Sequence, residues 1–143
     1  MKYWAYGIII MLITNNIIVK FIGGMPTNEE ENRQLLLKLP LYSAIVMCFL
    51  GPLSEEIMFR LNFKKDFNND IAFAVFSGLL FGFAHVMIST NPLEYLYIIP
   101  YGTLGFCFAM AYSKTKNIFT SITLHSFHNI LTILLILLSG NLK

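Results

Sequence analysis

The segment GPLSEEIMFR, residues 51–60, decides how the rest of this chain is interpreted. It places Glu55, Glu56 and Arg60 within a run, residues 41–63, that is otherwise largely apolar. Moving one charged side chain to the centre of a lipid bilayer costs about 3 kcal/mol on insertion scales. Charges at membrane depth therefore need a reason, and by default they indicate a functional site.

Composition predicts a membrane protein rather than a soluble one. Of the 143 residues, 56% are hydrophobic and 13% are charged, and the mean hydropathy is +0.64. Soluble domains carry about 25% charged residues. We therefore expect an all-α, polytopic helix bundle in a lipid bilayer, with a single domain over residues 1–143 and a motif-bearing core at 41–138. The net charge of +2 is too small to indicate a nucleic-acid partner.

Both cysteines lie in apolar segments. Cys48 is in the second of these segments and Cys107 is in the fourth. Cysteine in such a setting behaves as a small buried hydrophobic residue, so we predict two free thiols and no disulfide.

Hydropathy predicts about five membrane-spanning helices. The first apolar run follows Lys2, as in a signal peptide, but it is long and no small-x-small cleavage site follows it, so we interpret it as a helix. Pro52 is expected to kink the second helix. The predicted ranges are 3–22, 41–63, 71–88, 93–112 and 118–138.

A short polar helix is predicted between the first two spans. Asn28 is the expected N-cap, and three glutamates follow it in the first turn. The leucines further along give this helix an apolar side, so we expect it to lie in the membrane interface. These leucines are Leu35, Leu36, Leu37 and Leu39.

The basic residues predict the orientation, because short cytoplasmic loops are enriched in lysine and arginine. One side of a five-span arrangement carries most of them, whereas the other has an acidic first loop, an uncharged third loop and Lys143. The N-terminus and the second and fourth loops are therefore predicted to be cytoplasmic. The lysines on that side are Lys2, Lys64, Lys65, Lys114 and Lys116.

Helical spacing separates the roles of the two adjacent acids. Glu56 and Arg60 are four residues apart with the acid first, which favours an ion pair on one face. Glu55 points about 100° around the helix from Glu56, so it is free to face another group. The alternative is that both acids only satisfy Arg60 or a loop backbone.

Two further predicted spans carry histidines. His125 and Asn129 share a face of the last helix, and His128 flanks that face. His85 lies in the third span, one turn after Phe81. A lone histidine in a helix is usually a hydrogen-bonded core residue, but three spans here each contribute a side chain able to do catalytic chemistry.

The residues Glu55, His85, His125 and Asn129 together suit amide hydrolysis without a nucleophilic serine or cysteine. A carboxylate in an apolar site can act as a general base on water, and a histidine can share the proton. A second histidine and an amide can donate hydrogen bonds to an oxyanion. Alternatively, Glu55, His85 and His125 suit a catalytic zinc ion, although no His-Glu-x-x-His motif supports a metal.

Three motifs resemble those of the CPBP family, which comprises type II CAAX prenyl endopeptidases and the related bacteriocin-processing or self-immunity proteins, also called the Abi family. The motifs are Glu-Glu-x-x-x-Arg at residues 55–60, Phe-x-x-x-His at 81–85 and His-x-x-x-Asn at 125–129. Each motif alone is weak, but the three occur in the family's order, each within a predicted membrane helix. The resemblance covers residues 51–130, and family members usually have more spans.

The resemblance implies an intramembrane endopeptidase of a bacterial cell membrane. Glu55 would activate water, His85 and His125 would complete the centre, and Asn129 would help to hold the oxyanion. The implied substrate is a peptide or protein, and a lipidated one is among the candidates. Some family members are described as glutamate-dependent and others as metalloproteases, so a zinc cofactor stays open. Glu56, Arg60 and Phe81 would support the site structurally.

Two other functions use the same residues. The first is a non-catalytic immunity or scaffold protein that keeps the motifs as a structural network. The second is a small proton-coupled transporter or channel subunit, in which Glu55, His85 and His125 form a proton relay.

The predicted depths of two site residues disagree. At about 1.5 Å per residue, Glu55 lies roughly 12 Å before the cytoplasmic end of the second span. On the same count, His85 lies roughly 20 Å beyond the cytoplasmic start of the third span. Contact between them therefore requires a tilt or shifted helix ends.

Overall fold

The computed structural model describes residues 2–139, with side chains from residue 4 onward, and it contains no strand within that range. Lys143 and the side chain of Lys2, used in the orientation prediction, lie outside the described residues. The predicted all-α fold is confirmed. The α-helices are α1 (Lys2–Ile22), α2 (Thr27–Lys38), α3 (Pro40–Ile45), α4 (Gly51–Glu56), α5 (Asp70–Val86), α6 (Ile98–Thr115) and α7 (Ile118–Ser139).

The segment that carries the acidic motif, residues 40–61, is helical but irregular. A π-helical turn, Val46–Leu50, separates α3 from α4, and a second one, Ile57–Leu61, follows α4. Gly51 donates its N–H to the carbonyl of Val46, five residues back. Pro52 has no N–H to donate, so the irregularity expected at this proline takes the form of a π turn just before it.

Helices α5 and α6 pack through glycines at close range. A Cβ atom on Gly78 would lie 2.6 Å from the carbonyl oxygen of Gly102, and one on Gly82 would lie 2.7 Å from that of Ile98. Small residues allow such close contact between membrane helices, where van der Waals packing is a main source of association. The glycines therefore set the separation between the helix carrying His85 and its neighbour α6.

We expect Gly82→Ala to destabilise the bundle by about 1–3 kcal/mol, because the new methyl group meets backbone atoms that cannot rotate away. The thermal unfolding midpoint of the purified protein in detergent measures this. Gly24→Ala is the matched control, since a Cβ there has no atom within 4 Å. An unfolding midpoint that is the same for both variants would show that α5 and α6 are not held this closely.

Among residues 2–139, three helical segments are long and apolar enough to cross a membrane. Helix α5 is apolar but has 17 residues, and residues 40–61 are divided by the π turns into shorter helices. The predicted fourth span starts with a 3₁₀ helix, Pro92–Tyr97, before α6 begins. The three long segments are Trp4–Ile22, Pro92–Thr115 and Ile118–Ser139.

The second and fourth loops meet at Asp70, the first residue of α5. Its carboxylate lies 3.3 Å from the Nζ atom of Lys64, 3.5 Å from that of Lys114 and 3.8 Å from that of Lys116. Lys114 lies near the end of α6 and Lys116 follows it, whereas Lys64 belongs to the second loop. The two basic loops are therefore on the same side of the bundle. Which side of the membrane this is remains a prediction.

The start of α2 differs from the sequence prediction. Pro26 is the N-cap and makes no side-chain capping bond, so the assignment of Asn28 as the cap is wrong. The backbone N–H of Thr27 instead donates to Oε2 of Glu94 at 2.8 Å. A carboxylate from a residue 67 positions away thus satisfies a helix end that local sequence rules assign to Asn28.

Both cysteines are free and buried, as predicted. Cys107 on α6 packs against Gly7 of α1, where an added Cβ would overlap its Sγ. Cys48 is in the first π turn.

Candidate active site

Glu56 and Arg60 form a fully buried ion pair, as their spacing predicts. Nε of Arg60 lies 3.0 Å from Oε2 of Glu56, and both side chains are 0% exposed. Arg60 also donates from Nη2 to the carbonyl of Gly105 on α6 at 3.1 Å. Its guanidinium carbon lies 4.8 Å from the ring centroid of Phe81, a cation–π distance. The pair therefore connects the acidic motif to α5 and α6.

His125 is held between the two glutamates. Its Nδ1 lies 3.0 Å from Oε1 of Glu56, and its ring stacks on Phe108 with centroids 4.7 Å apart. A carboxylate only accepts hydrogen bonds, so we assign the proton to Nδ1. In the neutral ring, Nε2 is then an acceptor, and it lies 3.8 Å from Oε2 of Glu55.

Glu55 is more accessible than its neighbour, with 29% of its side chain exposed. Within residues 2–139, its buried Oε2 has no hydrogen-bond partner. The separation of 3.8 Å from His125 is too long for a direct hydrogen bond. It is a separation at which one water molecule can contact both groups.

Glu55 and His85 line the same open cavity, which has a volume of about 200 Å³. Nδ1 of His85 lies 2.9 Å from the carbonyl of Phe81, which again assigns the proton to Nδ1 and leaves Nε2 as an acceptor in the neutral ring. The His85 ring stacks on Tyr101 with centroids 4.7 Å apart. The other lining residues are Asn28, Met58, Phe59 and Ala84.

Phe81 contacts both histidines. Its ring centroid lies 4.3 Å from that of His85 and 5.5 Å from that of His125. Only 2% of the residue is exposed. Because Arg60 lies against the same ring, Phe81 sets the distance between the two histidines and the ion pair.

Asn129 lies away from the lining of the cavity. Its Nδ2 donates to the carbonyl of Met47 at 2.7 Å. In a π turn this carbonyl would accept from residue 52, but Pro52 has no N–H to give. Asn129 therefore supplies the missing donor and connects α7 to the first π turn. This geometry does not support the expected oxyanion role, which stays a prediction.

We expect Asn129→Ala to lower the free energy of unfolding by about 1–3 kcal/mol, because it leaves the Met47 carbonyl without its donor. Chemical denaturation in detergent measures this. Asn129→Asp is a second variant that keeps the shape but loses the donor, so it should be at least as unstable. Normal stability with a 10²-fold lower kcat would restore the oxyanion assignment.

The candidate zinc ligands do not form a ligand set in this arrangement. Among the described residues, no group of three or more His, Cys, Asp or Glu side chains is placed to hold one metal ion. Nδ1 of His125 is engaged with Glu56, and Nδ1 of His85 is engaged with a carbonyl. His128, the third histidine of the chain, is not among the residues that line the cavity.

Several residues at the site were not assigned to it from the sequence, among them one asparagine and two aromatics. Asn28 lines the cavity from α2, Tyr101 stacks on His85, and Phe108 stacks on His125. The two aromatics occur in an apolar span, where nothing distinguishes them from core residues. The sequence predicted Asn28 to be the N-cap of α2, so no other role was considered for it.

The comparisons with known proteins identify the family. The model of the type II CAAX prenyl endopeptidase Rce1-like family matches residues 37–131, which include all three motifs. The chain belongs to this Rce1-like family. The resemblance drawn from the motifs is thereby confirmed, and with three long apolar helices this member of the family is an integral membrane protein.

Several curated proteins are similar to this Rce1-like chain. The UPF0177 protein YxdF of Lactococcus lactis is 29% identical over 90% of the chain and 73% of its own length. The putative membrane peptidase YdiL of Bacillus subtilis is 29% identical over 92% of the chain and 55% of its own length. The membrane-embedded CAAX protease MroQ of Staphylococcus aureus is 26% identical over 88% and 52%. The chain thus spans about half the length of the two named peptidases. No solved structure matches.

Proposed function

We propose that this chain is an intramembrane endopeptidase in which Glu55 and His125 activate a water molecule. The observation that carries the proposal is the placement of His125, with Nδ1 3.0 Å from Oε1 of Glu56 and Nε2 3.8 Å from Oε2 of Glu55. A buried carboxylate that holds one ring nitrogen leaves the other nitrogen directed at the reacting group, as in acid–histidine pairs of hydrolases. Glu55 is the acid that remains accessible.

In the proposed reaction, the water donates one hydrogen to Oε2 of Glu55 and the other to Nε2 of His125. Glu55 takes the proton as the water oxygen bonds to the carbonyl carbon of the peptide, and the carbonyl electron pair moves to oxygen. When the tetrahedral intermediate collapses, the C=O bond re-forms and the C–N bond breaks. The proton on Glu55 passes to the leaving nitrogen, which gives a carboxylic acid and an amine.

The buried Glu56–Arg60 ion pair positions His125 for this reaction. Arg60 is the partner of the Glu56 carboxylate, and the same carboxylate accepts the hydrogen bond from Nδ1 of His125, which leaves Nε2 for the water. His85 lies in the same cavity as Glu55 and would contact the peptide, accepting a hydrogen bond at Nε2 when neutral and donating one from Nε2 only as an imidazolium. No step needs a metal ligand set.

The substrate is a peptide or protein that reaches the site from the membrane. The family name indicates a CAAX-type prenylated C-terminus, and MroQ is named a CAAX protease. A bacteriocin leader is the other candidate. We propose that the protein lies in a bacterial cell membrane with its N-terminus in the cytoplasm. The orientation rests on the excess of lysines in the second and fourth loops, which lie on the same side of the bundle.

The test is cleavage of a fluorogenic farnesylated CAAX peptide and a bacteriocin leader peptide by purified protein in liposomes, with the products mapped by mass spectrometry. Cleavage should be unaffected by a strong chelator, and no added zinc should be required. Activity lost to the chelator and regained with zinc would replace Glu55–His125 water activation by a metal site. Proton flux without any cleavage would favour the transporter alternative.

A further inference from the structure

The first turn of α2 brings Asn28 to the wall of the cavity that Glu55 and His85 also line. None of the three motifs includes Asn28, and the family match begins only at residue 37. Asn28 therefore lies outside the segment that the family model covers.

The Asn28 side chain is not used for capping. Pro26 is the N-cap of α2, and Glu94 accepts the hydrogen bond from the Thr27 N–H. Asparagine at the start of a helix usually bonds its own backbone. The Thr27 N–H donates to Glu94, and the N–H groups of Glu29 and Glu30 donate to the Pro26 carbonyl, so the Asn28 amide is not used at this helix end and can face the cavity.

Other contacts hold Asn28 in this position. The hydroxyl of Tyr97 donates to the carbonyl of Gly24 at 2.6 Å, and Tyr97 is 0% exposed. Pro26 is also fully buried. The Asn28 side chain interacts with Tyr101, the ring that stacks on His85. The turn is thus held against the bundle just before Asn28 and at the Asn28 side chain itself.

We propose, building on the endopeptidase function above, that Asn28 is a substrate-binding residue whose amide donates a hydrogen bond to the peptide carbonyl at the cleaved bond. The site needs such a donor, because Glu55 and neutral His85 present acceptors to the cavity and Asn129 donates to Met47. An amide group has two N–H donors and one acceptor oxygen, so the interaction with Tyr101 leaves at least one donor.

The test is binding of a fluorescein-labelled farnesylated CAAX peptide to the full chain in nanodiscs, read as anisotropy in the Glu55→Gln background. Adding Asn28→Ala should raise Kd about tenfold, the effect of one hydrogen bond. Asn32→Ala, an exposed position on the same helix, is the matched control and should stay within about twofold. Asn28→Ser keeps a hydroxyl donor and should recover part of the affinity, whereas Asn28→Asp should not.

In the active protein, Asn28→Ala should lower kcat by about 10² while the thermal unfolding midpoint stays at that of Asn32→Ala. Unchanged binding and turnover in Asn28→Ala would overturn the proposal. So would a loss of binding that comes with a lowered unfolding midpoint in both Asn28→Ala and Asn28→Ser, since Asn28 would then be structural. Peptide binding that depends on Asn28 without any cleavage by the unmodified chain would count against the endopeptidase function alone.

Discussion

Replacing Glu55 with glutamine is expected to lower peptide cleavage by about 10²–10⁴-fold, the usual contribution of a general base. The amide keeps the size and shape of the side chain but cannot take a proton from water. Glu55 is 29% exposed, and its carboxylate lies 3.8 Å from Nε2 of His125, too far for a direct hydrogen bond, so the variant should fold normally. Turnover in liposomes and the unfolding midpoint measure the two effects.

The matched control for this variant is Glu30→Gln, which changes an exposed acid on α2. It should retain full turnover. If Glu55→Gln also retained substantial turnover, the base would have to be assigned elsewhere. His125 would be the next candidate, because Glu56 already holds its proton on the opposite ring nitrogen. Glu56 itself is fully buried and paired with Arg60.

Replacing Arg60 with alanine is expected to destabilise the protein by about 3–5 kcal/mol, because it leaves the charge of Glu56 buried without its partner. Both side chains are 0% exposed, so water cannot compensate for the loss. The amount of folded protein should therefore fall more than the activity of each folded molecule. Yield after size-exclusion chromatography and turnover per folded molecule separate the two.

A paired variant makes this prediction sharper. Glu56→Gln combined with Arg60→Met removes both charges and should be more stable than Arg60→Ala alone. Its activity should still be low, because the amide oxygen of glutamine is a weaker acceptor than the Glu56 carboxylate for the hydrogen bond from His125. Lys65→Ala, at an exposed loop position, is the control. Normal folding of Arg60→Ala with lost turnover would place the ion pair in the reaction itself.

Much of the fold could be predicted because it depends on local patterns. The first and last helices end within a residue or two of the predicted bounds, since long apolar runs with polar ends define them. Glu56 and Arg60 pair because four residues make one helical turn, whatever surrounds the helix. The first π turn was not predicted, because it depends on Asn129 of α7, which donates to the Met47 carbonyl that Pro52 leaves without a donor.

The sequence predicted most residues of the candidate site but not the contacts that they make. Counting residues along straight helices placed Glu55 and His85 at different depths, yet they line one cavity. Helix irregularity and packing decide depth, and neither can be read from the apolar pattern. Asn129 was assigned to the site from its spacing to His125, but its amide bonds a carbonyl 82 residues away.

The sequence by itself determined the membrane class, the helical fold, the buried ion pair and the three motifs that identify the family. These properties follow from composition and from spacing within single helices, where each residue's direction is set by 3.6 residues per turn. Only the tertiary structure decided that His125 lies between two glutamates, that Glu94 rather than Asn28 caps α2, and that Asn28 faces the cavity. Those contacts join residues far apart in the chain, and their geometry depends on how closely the helices pack.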